Sequence, residues 1–469
     1  MHRIFIAVAM ATLILTAALG TGLTAHAEED TPGPTVIGPV NGGTGRPFPT
    51  SPVPLDTAGY MEQEYFLDGT ATGYVQADTW GSDGRWRVRP AEQSAFRTRL
   101  LVRRPADPAR FNGTVIVEWL DLPGGVDVDP DFLYTHAELL RAGYAWVGVS
   151  AQQQGVTTLQ RVDPGRYADL SHPGDTFSYS IYSQAAQALL HPAGIDPLGG
   201  LRPRTLIGDG YSGSSARLVT YINAVQPVDR LFSGFLVHSR WARSAPISQP
   251  PQAPQSSPSI VYTRTDSSAP VLTVATETEI LQTHPSYPNL DYYPVSQPDS
   301  RGFRLWEVPG TSHVDATLDA LLAAESGSQP TQCTQAANNG QESAVMSAAL
   351  AQINRWIRTG VPAPTARRIQ VTPDGTAIIR DGYGNALGGV RTPALDAPVA
   401  TLTGSGNDGT SRQCEIEGTT TPFDPARLKA LYPTHRAYVT ATVRAAAAGV
   451  TAGFLLPPDA ADIVKTAIR

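Results

Sequence analysis

Between about residue 60 and residue 360 the chain alternates short apolar runs with longer stretches of helical periodicity. Tyr65 to Val75, Phe96 to Val102 and Thr114 to Trp119 predict successive strands, and the last is apolar almost throughout, as a strand buried on both faces must be. Helix and strand then take turns. A helix is expected near Asp131 to Ala142, a strand at Tyr144 to Ser150 and a second helix from about Phe177 to Leu190. A strand and helix surround Ser212, and further strands are expected at Leu231 to His238, Val271 to Ala275 and Phe303 to Val308. A long helix from Glu342 to Thr359 carries Val345, Ala348, Leu350, Ile353, Trp356 and Ile357 on one side and closes the alternation. Such a pattern predicts an α/β chain with a mainly parallel central sheet and helices on both of its faces.

The flanks differ in texture. Arg3, an apolar run from Ile4 to Leu23 and then Ala25-His26-Ala27 read as a secretory signal over residues 1–27, cleaved after Ala27, rather than as a membrane anchor. Residues 28–55 are rich in Pro, Gly and Thr and suit an extended leader with no packed core of its own. The alternating core is expected over residues 56–360. It is interrupted by a proline-rich insertion at 240–269 that either overhangs a pocket or runs through solvent. Residues 361–469 form a C-terminal extension, first short strand-like pieces and then alanine-rich helix, packed on the core.

The chemistry concentrates where one strand turns into a helix. Thr205 to Val225 reads as a short apolar strand, a glycine-rich turn carrying Ser212 and a helix with Ala216, Val219, Ile222 and Val225 at helical spacing, the outline of a nucleophile elbow. Gly210 and Ser214 are small residues two places before and after Ser212, where strand and helix approach closely, and Gly210 can take up strained dihedrals. A flexible linker would not run on into such a helix. A serine hydroxyl needs a base, and an elbow takes its acid and histidine downstream in that order. The strand starting at Pro270 leads into a turn bearing Glu277 and Glu279, of which Glu279 has the better offset and Glu277 is the alternative acid. The strand from Gly302 leads into a loop ending at His313. His238 also follows a strand but precedes the acid, and His136 falls inside a helix. Backbone amides of Gly213 and of the loop Leu120 to Gly125, Leu122 first and Asp121 next, are the candidate donors to a developing oxyanion.

Composition narrows the alternatives. The formal charge is −7, and losing Arg3 with the signal makes it more negative, which argues against nucleic acid or an anionic membrane as a partner. No segment after the signal is apolar enough to span a bilayer, so no stable membrane insertion is expected. The two cysteines, Cys333 and Cys414, most simply form one disulfide in an exported chain, tying the C-terminal extension to the core. Asp127, Asp129, Asp131 and Glu138 fall at calcium-loop offsets, but Pro130 and Phe132 break that pattern and an acidic helix cap at Asp129 or Asp131 is simpler. No metal or cofactor is expected.

Gly113 to Leu120, Gly143 to Gln152, Ser212 to Val225 and Phe303 to His313 together resemble the bacterial alpha/beta hydrolase domain-containing family of secreted serine hydrolases. Gly388 to Pro393 and Phe423 to Tyr438 are similar to it as well, so the resemblance runs from about residue 35 to the end. It implies an α/β-hydrolase fold with the nucleophile at Ser212 and the base at His313. The family often has Glu-Thr-Asp where this chain has Glu277-Thr278-Glu279, and a glutamine where Gly213 stands. The resulting expectation is an exported serine carboxylic-ester hydrolase acting on small-molecule, glycan or lipid esters. An acyltransferase using the same residues is one rival, and a non-catalytic secreted binding protein on the same fold is the other.

Overall fold

The computed structural model describes residues 33–281, 285–287, 291–409 and 411–469. The expected signal segment lies outside them. Ten strands form one sheet: β1 (Thr35–Ile37), β2 (Tyr60–Gln76), β3 (Val88–Pro105), β4 (Thr114–Trp119), β5 (Ala145–Val149), β6 (Ala193–Gly194), β7 (Thr205–Tyr211), β8 (Gly234–His238), β9 (Val271–Thr276) and β10 (Phe303–Val308). Their order is β10-β9-β8-β7-β4-β5-β3-β2-β1-β6.

From β10 to β5 every neighbour is parallel. β3 then pairs antiparallel with β5, β2 with β3 and β1 with β2. The sheet is therefore mixed: a parallel half and a flank that is antiparallel except for the outermost pair, where β6 runs parallel to β1. The reason lies in the connections. Most of the parallel strands are joined by helical crossovers, β8 and β9 by the long irregular excursion between them, whereas β2 and β3 follow one another directly and can pair only by doubling back.

Side chains of the parallel strands alternate between two cores. On β4, Val115, Val117 and Trp119 face one cluster and Ile116 the other; on β8, Phe235 and Val237 face the first and Leu236 the second. The helix Ser178–Leu190 and the elbow helix Ser212–Thr220 cover the first face with Tyr182, Ala185, Leu218 and Val219. Helices Pro130–Ala142 and Glu342–Thr359 cover the second with Phe132, Leu133, Val345 and Ile353. Burying each large aliphatic side chain contributes roughly 1.5–3 kcal/mol. This double covering is what holds the C-terminal ends of β7, β9 and β10 in fixed relation.

The expected leader is extended, but it packs on the sheet: β1 pairs with β2, Val36 joins one core, and Val53 and Leu55 join the other. Its apolar runs are too short to read as a strand, the longest being Val36-Ile37, yet enough to be buried at Val36, Val53 and Leu55. Residues 240–269 contain no helix or strand. They are pinned by the buried Arg240, whose guanidinium donates to the Val261 carbonyl at 2.5 Å and to Thr263 Oγ1 at 3.0 Å. A helix at Ala316–Ser326, not expected from the sequence, follows the His313 loop. Strands β11 (Ala400–Thr403) and β12 (Thr419–Pro422) pair antiparallel, and helices Pro425–Leu431, His435–Ala452 and Pro457–Ile468 end the chain. The Cys333–Cys414 disulfide is formed. Among the described residues no helix is long and apolar enough to cross a membrane.

Candidate active site

β7 ends at Tyr211 and the elbow helix begins at once with Ser212. Ser212 has φ +53°, a left-handed conformation that costs energy in a non-glycine residue and turns its side chain out of the bend. The strain sits on the serine itself. Gly210, expected to absorb it, is not among the left-handed residues; its lack of a side chain matters because a Cβ there would lie 3.3 Å from the Ser214 carbonyl. Ser214 is more than small. Its hydroxyl donates to the Tyr211 carbonyl at 2.7 Å and accepts from the Tyr211 amide at 3.1 Å, fastening the bend.

Ser212 Oγ stands 2.8 Å from His313 Nε2, and His313 Nδ1 stands 2.6 Å from Glu279 Oε1. The other Glu279 oxygen accepts from the amide and the hydroxyl of Thr276, both at 2.7 Å. Burial alone would push the Glu279 carboxyl up, but the hydrogen bond and charge of His313 with the two bonds from Thr276 outweigh it and hold the group below its ordinary range. The His313 loop is fixed on both sides: its amide donates to Thr278 Oγ1 at 2.9 Å and its carbonyl accepts from the Tyr211 phenol. Glu277 points elsewhere. It takes the Arg380 guanidinium at 2.6 Å and the Gly310 amide at 2.8 Å.

Around this chain of bonds opens a cavity of about 900 Å³ lined by Ser212, His313, Leu122, Trp241, Tyr287 and Leu318, among others. The proline-rich insertion contributes Trp241 and Arg243 to its wall, and the C-terminal extension contributes Arg412 and Gln413. Gly213 and Leu122 both line it, and the Gly213 amide donates to no atom among the described residues. The Asp121 amide is occupied by the Val128 carbonyl at 3.0 Å, which removes it as an oxyanion donor. Its side chain accepts from the Ser214 amide at 3.0 Å, a contact between residues too far apart in the chain to leave a local pattern.

The other candidates are structural. His238 is fully buried between Asp131 and Glu342. Asp127 pairs with Arg99, Asp129 with Arg103, and Glu138 with Arg141, so the calcium-like spacing is spent on ion pairs. Neither Asp129 nor Asp131 caps its helix. Glu118 on β4 does so, accepting from the Asp131 and Phe132 amides at 3.2 and 2.9 Å. Among the described residues no group of acids, histidines or cysteines is arranged to hold a metal ion.

The pattern of the alpha/beta hydrolase domain family matches residues 36–465, and the chain belongs to that family. No curated protein matches it. Solved structures with similar folds include a Xanthomonas campestris α/β serine hydrolase described as lacking a lid, 11% identical, with 56% of this chain and 97% of that one aligned at a TM-score of 0.28. An α/β serine hydrolase homologue from Coxiella burnetii is 12% identical over 46% of this chain and 84% of its own, at a TM-score of 0.28. A methylesterase is 14% identical over 52% of this chain and 45% of its own length, at a TM-score of 0.30.

Proposed function

We propose that this hydrolase is an exported serine esterase that cleaves carboxylic esters through an acyl-enzyme on Ser212. The observation that carries the reading is the unbroken hydrogen-bonded chain Ser212–His313–Glu279, opening at its serine end on the 900 Å³ cavity. His313 Nε2 takes the hydroxyl proton as Ser212 Oγ attacks the ester carbonyl, and the Gly213 amide receives the oxyanion, whereas the Leu122 amide is turned toward the Asp121 carboxyl. Collapse of the tetrahedral intermediate breaks the bond to the alkoxide oxygen, which leaves with the proton from His313. Water then attacks the acyl-enzyme, gives its proton to the same nitrogen, and the acid departs as Ser212 recovers its hydrogen. Glu279 stays ionised throughout; its low proton affinity suits it to hold the Nδ1–H tautomer and to stabilise the imidazolium.

Export rests on the signal-like N-terminus and fits the Cys333–Cys414 disulfide. The test is hydrolysis of a p-nitrophenyl ester series by the mature protein and by Ser212→Ala under oxidising conditions. The reading requires turnover that vanishes in the variant. Turnover that survives Ser212→Ala, or a folded wild type that hydrolyses no member of the series, counts against it.

A further inference from the structure

Asp121 stands beside Ser212 and Gly213 on the cavity wall, next to the Gly213 amide that is the candidate oxyanion donor. It lines the cavity with Ser212 and Gly213, and its Oδ1, bonded to the Ser214 amide, is 3.1 Å from where a Cβ on Gly213 would fall. The residue is 7% exposed. Its amide and carbonyl are both tied to Val128, at 3.0 and 2.9 Å, so the loop cannot carry it away from there. Among the described residues no arginine or lysine forms an ion pair with it. The charged and titratable groups facing it are His313 from the loop after β10, Arg217 from the elbow helix, already engaged by Asp175 at 2.8 Å, the Tyr211 phenol and Asp131 of the helix Pro130–Ala142.

A carboxylate in that position would repel the negative charge that ester attack creates, whereas a neutral carboxyl could donate to it. We propose that Asp121 is a further catalytic residue acting as a neutral acid: with Oδ1 held by the Ser214 amide, its other oxygen carries a proton and donates a hydrogen bond to the oxyanion. The proposal rests on Ser212 being the nucleophile. The Asp121 proton is shared but never transferred, and no bond to the residue forms or breaks. Burial, opposed by the Ser214 and Leu122 amides and by the charges of His313 and Arg217, lifts the Asp121 carboxyl to about 6. The neutral form is therefore populated at mildly acid pH, and the ionised form grows as the pH rises further.

The experiment is the pH profile of kcat and kcat/KM on p-nitrophenyl acetate for wild type, Asp121→Asn, Asp121→Ala and Ser212→Ala. Wild type is expected to lose activity as the pH rises above about 6. Asn keeps the acceptor for Ser214 and offers a donor that never ionises, so Asp121→Asn should flatten that limb and exceed wild type at pH 8 on the order of tenfold, as removal of one nearby charge implies. Asp121→Ala should lose roughly 10²-fold in kcat at acid pH with KM little changed. An Asp121→Asn profile that follows wild type limb for limb overturns the inference even if the Ala variant folds poorly. A Ser212→Ala variant that still turns over, or an inactive wild type, overturns the underlying reading first and this one with it.

Discussion

Two histidines at the C-terminal edge of the same sheet make nearly the same bonds. His313 Nδ1 meets Glu279 at 2.6 Å and His238 Nδ1 meets Asp131 at 2.6 Å; Nε2 of the first meets Ser212 Oγ at 2.8 Å and of the second Glu342 Oε1 at 2.9 Å. What separates them is the partner of the second nitrogen and access to the cavity. His313 lines the cavity and ends on a hydroxyl, so a proton it accepts can be passed to a departing group. His238 is sealed between two carboxyls, and any proton there only moves within the cluster. The acids differ accordingly. Glu279 has both oxygens bonded and is held below its usual range, whereas burial pushes Asp131, which faces the Asp209 carboxyl, to about 7 and Glu342 to about 8, and Glu342 keeps one oxygen without a partner among the described residues. On the proposed function, one histidine cycles a proton and the other holds the fold.

Single substitutions should separate these roles. The largest effect is expected from Ser212→Ala, which should lower kcat on the order of 10⁶-fold while the unfolding midpoint hardly moves. Next comes the acid: Glu279→Gln should cost about 10⁴-fold in kcat by favouring the wrong imidazole tautomer, and Glu277→Gln should leave the rate within an order of magnitude. Comparing the two in one assay sharpens the choice between the neighbouring glutamates. His238→Ala should do the reverse of the serine variant. It strands two buried acids, so denaturant unfolding should show a loss of about 3–5 kcal/mol, while kcat per folded molecule is retained.

The smallest effect is a pH dependence of stability. Because the Glu279 carboxyl is lowered on folding, its contribution is present above its ordinary value of 4.5 and is lost as the pH falls through the folded value. Asp131 and Glu342 are raised, so theirs is present below 3.8 and 4.5 and is lost as the pH climbs through about 7 and 8. Unfolding midpoints in Glu279→Gln should therefore fall less steeply on the acid side than in wild type, with the alkaline side unchanged. Equal acid slopes in the two proteins would contradict the assignment of a low-affinity carboxylate to Glu279.

Much of this was legible in the chain. Apolar runs marked the parallel strands because those are buried on both faces, and the long helix Glu342–Thr359 has its expected bounds because its apolar residues keep one side. Ser212, His313 and Glu279 stand out in the sequence by their positions just past strands, where a sheet edge gathers side chains, and the structure brings the three into one hydrogen-bonded chain. The spacing of Thr276 and Glu279, a hydroxyl and a carboxylate three residues apart, is itself a capping-box signature that favours Glu279 over Glu277. The rest depends on contacts between distant parts. Val36 and Ile37 are only a two-residue apolar pair among prolines and glycines until β2 pairs with β1. The pairing of His238 with Glu342 spans 104 residues, and that of Asp121 with the Ser214 amide spans 93, so neither leaves a local pattern.

The central claim is that Ser212 is the activated nucleophile. Its most direct test is labelling of the folded mature protein with a fluorophosphonate probe, followed by peptide mass spectrometry to locate the adduct, with His313→Ala in parallel. The expected result is one adduct on Ser212 in wild type and labelling slowed by orders of magnitude without the histidine. An adduct on another residue, or equal labelling of Ser212 in both proteins, would contradict it.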